Sequence, residues 1–156
     1  MVTATVTVTA MDTERTKNKR MLTIAVDFDG TIVEHKYPSI GREKPFAMDV
    51  LRQLAADGHR LILWTAREGK LLEEALAYCE KRGVSFYAAN SNHPAGYLFE
   101  ETSSGPSKIV ADVYIDDHNL GGLPDWSEIY TMLSGGVYPK KRKKPWWKRI
   151  FRRRRH

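Results

Sequence analysis

Short, almost unbroken apolar runs alternate along the chain with longer stretches whose apolar residues recur every three or four positions. "MLTIAVDF" (21–28) is the first run, and its continuity predicts a strand buried on both faces. "PFAMDVLRQLAADG" (45–58) then predicts a helix, with Pro45 in its first turn, Phe46, Val50, Leu51 and Leu54 on an apolar face, and Gly58 ending it. "HRLILWTAR" (59–67) predicts a second buried strand. "EGKLLEEALAYCEKRG" (68–83) predicts a helix with Leu71, Leu72, Ala75, Leu76 and Cys79 inward. "VSFYAAN" (84–90) predicts a third strand and "KIVADVYIDD" (108–117) a fourth, separated by a Gly/Ser/Pro-containing loop over 90–107. "PDWSEIYTML" (124–133) predicts the last helix, opened by a capping box of Asp125 and Glu128. Strands alternating with helices, on connections long enough for crossovers, predict an α/β fold. Its mainly parallel central sheet is expected to be covered on both faces, in three Rossmann-like layers.

Composition adds boundaries to this pattern. The 156 residues suit one domain with a real core, and 42% hydrophobic and 28% charged residues are ordinary for a globular protein. The single cysteine, Cys79, excludes an internal disulfide and suits a reducing, cytoplasmic setting. No run approaches the roughly 18 apolar residues of a membrane span, and the Thr-rich opening lacks the basic start of a signal peptide. The net charge of +6 is unevenly distributed. Residues 140–156, "KKRKKPWWKRIFRRRRH", hold 11 of the 25 Lys+Arg and no acid, whereas residues 21–139 hold 10 bases against 17 acids. Three parts are expected: a disordered leader over 1–20, an acidic domain over 21–139, and a basic aromatic tail over 140–156.

In a parallel sheet, functional groups gather beyond the carboxyl ends of the strands. The polar residues expected there are Asp27 and Asp29, Thr65, and the pair Asp116/Asp117. Carboxylates converging on one sheet edge repel unless a cation offsets them. All-oxygen ligation, with no His or Cys at ligand spacing, suits a hard ion such as Mg²⁺. A hydroxyl at Thr65 and an ammonium at Lys108 add donors for an anion, and the set describes a site for phosphoryl transfer.

"DFDGT" resembles the first motif of the haloacid dehalogenase superfamily, whose phosphatases carry Asp-x-Asp-x-Thr/Val after the first strand. Thr65 in "LILWTAR" is similar to its second motif, Lys108 to its third and "VYIDD" to its fourth, in the family's order over residues 21–133. "GTIVEH", "GREKPFA", "LILWTAREG", "FYAAN" and "YIDDHNLGGLPDW" together resemble a group of small bacterial members described only as hydrolases. The resemblance implies an Mg²⁺-dependent phosphatase. Asp27 would be the nucleophile and Asp29 the proton donor and acceptor. Gly30 would allow a tight turn beside the phosphate. Thr31, Thr65, Ala66, Arg67 and Lys108 would line the phosphate and substrate pocket, with Thr65 and Lys108 in the chemistry. The metal would be held by Asp27, the main-chain carbonyl of Asp29, and Asp116 and Asp117, with Asp117 favoured for direct contact.

Only residues 32–44 and 90–107 are available at the two places where such proteins insert a cap, so none is expected and the site should be open. Glu34, His35 and Tyr37 are placed to reach a substrate, Arg67 to pair with a second anionic group, and Asn90 and Asn92 to lie beyond the third strand; a plain loop role competes for each. The phosphorylated substrate is read as a nucleotide, a polynucleotide end or a small metabolite. The tail suits nucleic acid, through its bases with Trp146 and Trp147. It equally suits an anionic membrane, with Trp146, Trp147, Ile150 and Phe151 on one side of a short helix, or simply solvent. The competing function is a non-catalytic phosphate- or nucleic-acid-binding module tethered by that tail.

Overall fold

The computed structural model describes residues 20–95 and 109–135. Residues 1–19 of the expected leader, Lys108, most of the 90–107 loop and the basic tail lie outside the described residues. The element order is β1 (Thr23–Val26), α1 (Ala47–Ala56), β2 (Arg60–Leu63), α2 (Gly69–Glu80), β3 (Ala88–Ala89), β4 (Val113–Ile115) and α3 (Trp126–Ser134). The four strands form one all-parallel sheet in the order β3-β2-β1-β4, which is a Rossmann-like α/β arrangement.

Strict alternation along the strands sends side chains to two different cores. Ile24 and Val26, Leu61 and Leu63, Ala89, and Val113 and Ile115 point to the larger one, where Val50, Leu51 and Leu54 of α1, Ala75 and Cys79 of α2, and Trp126 and Ile129 of α3 meet them. Ala25, Ile62 and Ala88 point the other way, into a small cluster with Ile109, Trp64, Ala111 and Tyr114. All three helices therefore cover one face. The expected Rossmann-like α/β fold is the one observed, and strand order explains why the described helices share this face. Passing from β1 to β2 to β3 moves steadily in one direction, so right-handed crossovers put α1 and α2 on the same side. Passing from β3 to β4 reverses direction in the sheet, and Ile109, described just ahead of β4, lies in the cluster on the opposite face.

Strands are shorter than the apolar runs predict. The β4 run loses residues 109–111 because Tyr114 folds back, its hydroxyl donating to the Ile109 carbonyl (2.5 Å) and accepting from the Ala111 N–H (3.3 Å). α1 begins at Ala47, and Phe46 precedes it in a left-handed conformation (φ 64°), 62% exposed rather than in the core. In α2, Leu72 and Leu76 border the core that Ala75 and Cys79 enter, while Leu71 stays outside it. Asp125 takes the N-cap position of α3 in extended geometry without a side-chain cap bond, so the expected capping box is not formed.

Candidate functional site

The strand order changes direction between β1 and β4, and the crevice outside their carboxyl ends is where open α/β sheets collect ligands. Asp27 and Asp29 follow β1 there, and Asp116 and Asp117 follow β4. Between the two aspartates, Phe28 is fully buried in the main core, edge-on to Tyr78 (6.0 Å). The alternation that drives Phe28 inward leaves both carboxylates on the rim. A tight turn follows, in which the N–H groups of Ile32 and Val33 donate to the Phe28 carbonyl and Gly30 donates to that of Val33.

Asp27, Asp116 and Asp117 each offer a carboxylate oxygen within 4.8 Å of the others. Burial is the main cause that raises the Asp27 carboxyl to about 6, and the charges of Asp116 and Asp117 add to it against hydrogen bonds from Phe28 and Thr31. Thr31 ties the two strand ends together: its hydroxyl donates to Asp27 (2.9 Å) and accepts from the Asp117 N–H (3.0 Å). It is fully buried, so it braces the carboxylates rather than facing substrate. The indole of Trp126 donates to the Thr31 carbonyl (3.0 Å), which fastens the start of α3 to the same turn. Gly30 has φ 87°, and a Cβ there would lie 2.3 Å from Asp117 Oδ2. Its lack of a side chain makes room for the β4 carboxylate as well as for the turn.

Asp29 is not in the carboxylate cluster. The Arg67 guanidinium grips it in a fork, Nε to Oδ2 at 2.6 Å and Nη2 to Oδ1 at 2.7 Å. Arg67 is fully buried, beside the rings of Phe28 (5.1 Å) and Tyr37 (5.4 Å). The expectation that it reaches out to a substrate anion is therefore corrected: its fork is spent on Asp29. Thr65 stands between the two groups of acids in sequence and is half-buried; its hydroxyl accepts from the Arg67 N–H (3.2 Å), leaving its own proton for an anion. Ala66 beside it is exposed. Asn90, in a left-handed conformation (φ 50°), clamps this loop, accepting from the Thr65 N–H (2.8 Å) and donating to the Arg67 carbonyl (3.3 Å). Asn92 instead pairs both ways with the main chain of Val110.

Sequence reasoning missed the bracing by Arg67, Asn90 and Trp126. A signal existed for Asn90, because asparagine at a strand end tolerates the left-handed region and reaches nearby main chain. Nothing local distinguishes a buried Arg67 from an exposed one.

No family model and no curated protein matches the chain. A solved structure of a conserved protein coded by a locus from Bacteroides thetaiotaomicron is similar over 76% of this chain and 93% of that one, at 52% identity and a TM-score of 0.69. At that identity and coverage the chain belongs to the same family as that conserved protein.

Proposed function

We propose that the protein is a phosphohydrolase of the haloacid dehalogenase type, which passes a phosphoryl group first to Asp27 and then to water. The observation that carries this reading is the approach of Asp27, Asp116 and Asp117 to within 4.8 Å at the switch point of a parallel sheet. Three hard carboxylate donors fit Mg²⁺. Asp27, Asp116 and Asp117, with the main-chain carbonyl of Asp29, would hold it; when bound it offsets the clustered charge and polarises the phosphoryl group.

The steps then belong to the chain's own residues. An Asp27 carboxylate oxygen forms a bond to phosphorus while the bond to the leaving oxygen breaks, and Asp29 supplies that oxygen's proton. Water next attacks the aspartyl-phosphate and gives its proton to Asp29; the Asp27–phosphorus bond breaks and inorganic phosphate leaves. Thr65 donates to a phosphoryl oxygen, and Lys108 is assigned the same anion from the motif order alone. The substrate class is a phosphate monoester on a nucleotide, a polynucleotide end or a small metabolite.

One observation favours the second reading, a non-catalytic phosphate-binding module: the group assigned to move protons is held by a buried guanidinium. Each Asp29 oxygen keeps a further lone pair, and its side chain is 12% exposed, so the fork aims the carboxylate without closing it off. The deciding experiment is turnover of an aryl phosphate and of 3′- and 5′-phosphorylated oligonucleotides, with and without Mg²⁺. The expected result is Mg²⁺-dependent release of phosphate, lowered by about a thousandfold or more in Asp27→Asn with the fold intact. Full activity in that variant overturns the mechanism. No turnover on any substrate favours the binding module.

A further inference from the structure

Residues 32–44 form a small hairpin beside the site. Val33 and Glu43 pair antiparallel, Glu34 N–H donates to Arg42 (2.7 Å) and Lys44 N–H to Ile32 (2.9 Å). Gly41 closes the neck, since a Cβ there would lie 1.9 Å from the Glu34 carbonyl oxygen. The tip, residues 35–39, is exposed and presents His35, Lys36 and Tyr37. Among the described residues its only hydrogen bonds run to one side chain: Arg67 Nη1 donates to the Pro38 carbonyl (3.0 Å) and Nη2 to that of Ser39 (2.9 Å). The same guanidinium, by its Nε and Nη2, forks Asp29.

We propose that Arg67 is a positioning residue that couples the hairpin tip to Asp29, so that a substrate seated against His35, Lys36 and Tyr37 also sets the orientation of the proton-transfer carboxylate. A planar guanidinium cannot turn towards one set of partners without leaving the other, and full burial denies it water as a substitute. Release of Asp29 therefore loosens the tip, and displacement of the tip misaligns Asp29. The coupling rests on the geometry alone; its value for catalysis rests on the phosphohydrolase reading.

Lys36 supplies a probe that needs no turnover, because trypsin cuts after an exposed lysine only where the backbone can adapt. Cleavage of the Lys36–Tyr37 bond in the full chain, followed by mass spectrometry, is expected to be slow in the wild type. It should be about tenfold or more faster in both Arg67→Gln and Asp29→Asn, at matched thermal stability, with the double variant little faster than either. An Asp29→Asn protein cut at the wild-type rate overturns the coupling. If Arg67→Gln fails to fold, Arg67→Lys, which keeps the charge but not the fork, takes its place. On an aryl phosphate, Arg67→Lys should lower kcat about tenfold with KM within about threefold. Guanidinium, but not equal sodium chloride, should restore both turnover and protection in Arg67→Ala. Unchanged kcat removes the catalytic role. A wild type that turns over no phosphate defeats the phosphohydrolase reading, while the protease rates still decide the coupling.

Discussion

Asp27 is a carboxylate that folding makes harder to ionise. Its carboxyl rises from the ordinary 3.8 to about 6, chiefly through burial and then through Asp116 and Asp117. The folded state thus holds this proton more tightly than the unfolded chain. The stability owed to it is complete below about pH 4 and is lost as pH rises through about 6. At neutral pH the metal-free protein should carry a penalty of about 1–2 kcal/mol at this residue, after allowance for its partial exposure. Melting temperatures across that range without divalent cation should therefore favour Asp27→Asn over the wild type above pH 6 but not below pH 4. Mg²⁺ should stabilise the wild type mainly above pH 6 and Asp27→Asn much less. Equal stabilisation by Mg²⁺ on both sides of that range would separate the ion from Asp27. Arg67 carries the complementary residue-scale lesson. Its position two residues past Thr65 was plain in the sequence, but whether it faced a substrate or the protein depended on where a loop turned after β2, which no local pattern encodes.

At the scale of elements, helix cores were the legible part. Within the helices a period near 3.6 reports which residues face inward: Val50, Leu51, Leu54, Ala75 and Cys79 are buried, whereas Phe46, ahead of α1, and Leu71, in the first turn of α2, are not in the core. Strand extents were less legible, because β3 is two residues of main-chain pairing inside the seven-residue stretch 84–90, and pairing is set by neighbours rather than by side chains. Acids at the ends of two strands expected to run parallel placed Asp27, Asp116 and Asp117 at one sheet edge; the cross-links that hold them there join elements distant in sequence and leave no periodic trace. Trp126 is the clearest of these, reaching from α3 to the Thr31 carbonyl 95 positions away. Trp126→Phe keeps the ring in the core but leaves that buried carbonyl without its donor, at an expected cost of about 1–3 kcal/mol in urea unfolding. Because Thr31 in turn braces Asp27 and Asp117, the same variant should bind Mg²⁺ several-fold more weakly, as read by the cation's effect on melting temperature. A stability loss with unchanged Mg²⁺ dependence would show that α3 supports the core without tuning the site.

At the scale of the whole molecule, charge is divided against the proposed chemistry. Residues 21–139 hold 10 bases against 17 acids, so an incoming phosphate meets a domain of its own sign, and the carboxylates of the site sharpen that repulsion. Residues 140–156 hold 11 bases and no acid on the same chain. A small aryl phosphate gains little from such a segment, whereas a polyanion gains one counterion release for each phosphate it neutralises. Deleting 140–156 should therefore leave kcat/KM on an aryl phosphate within about twofold, and lower it by about tenfold or more on a phosphorylated oligonucleotide at low salt. The difference should close as salt rises, because the contribution is electrostatic and screened. If the deletion leaves oligonucleotide turnover unchanged but abolishes binding to anionic vesicles, the basic segment serves a lipid surface, and the substrate should be sought among phosphates presented there. The salt dependence of the full chain on the two substrates thus tests which anion the +6 net charge of this protein serves, independently of how Asp27 and Asp29 divide the chemistry.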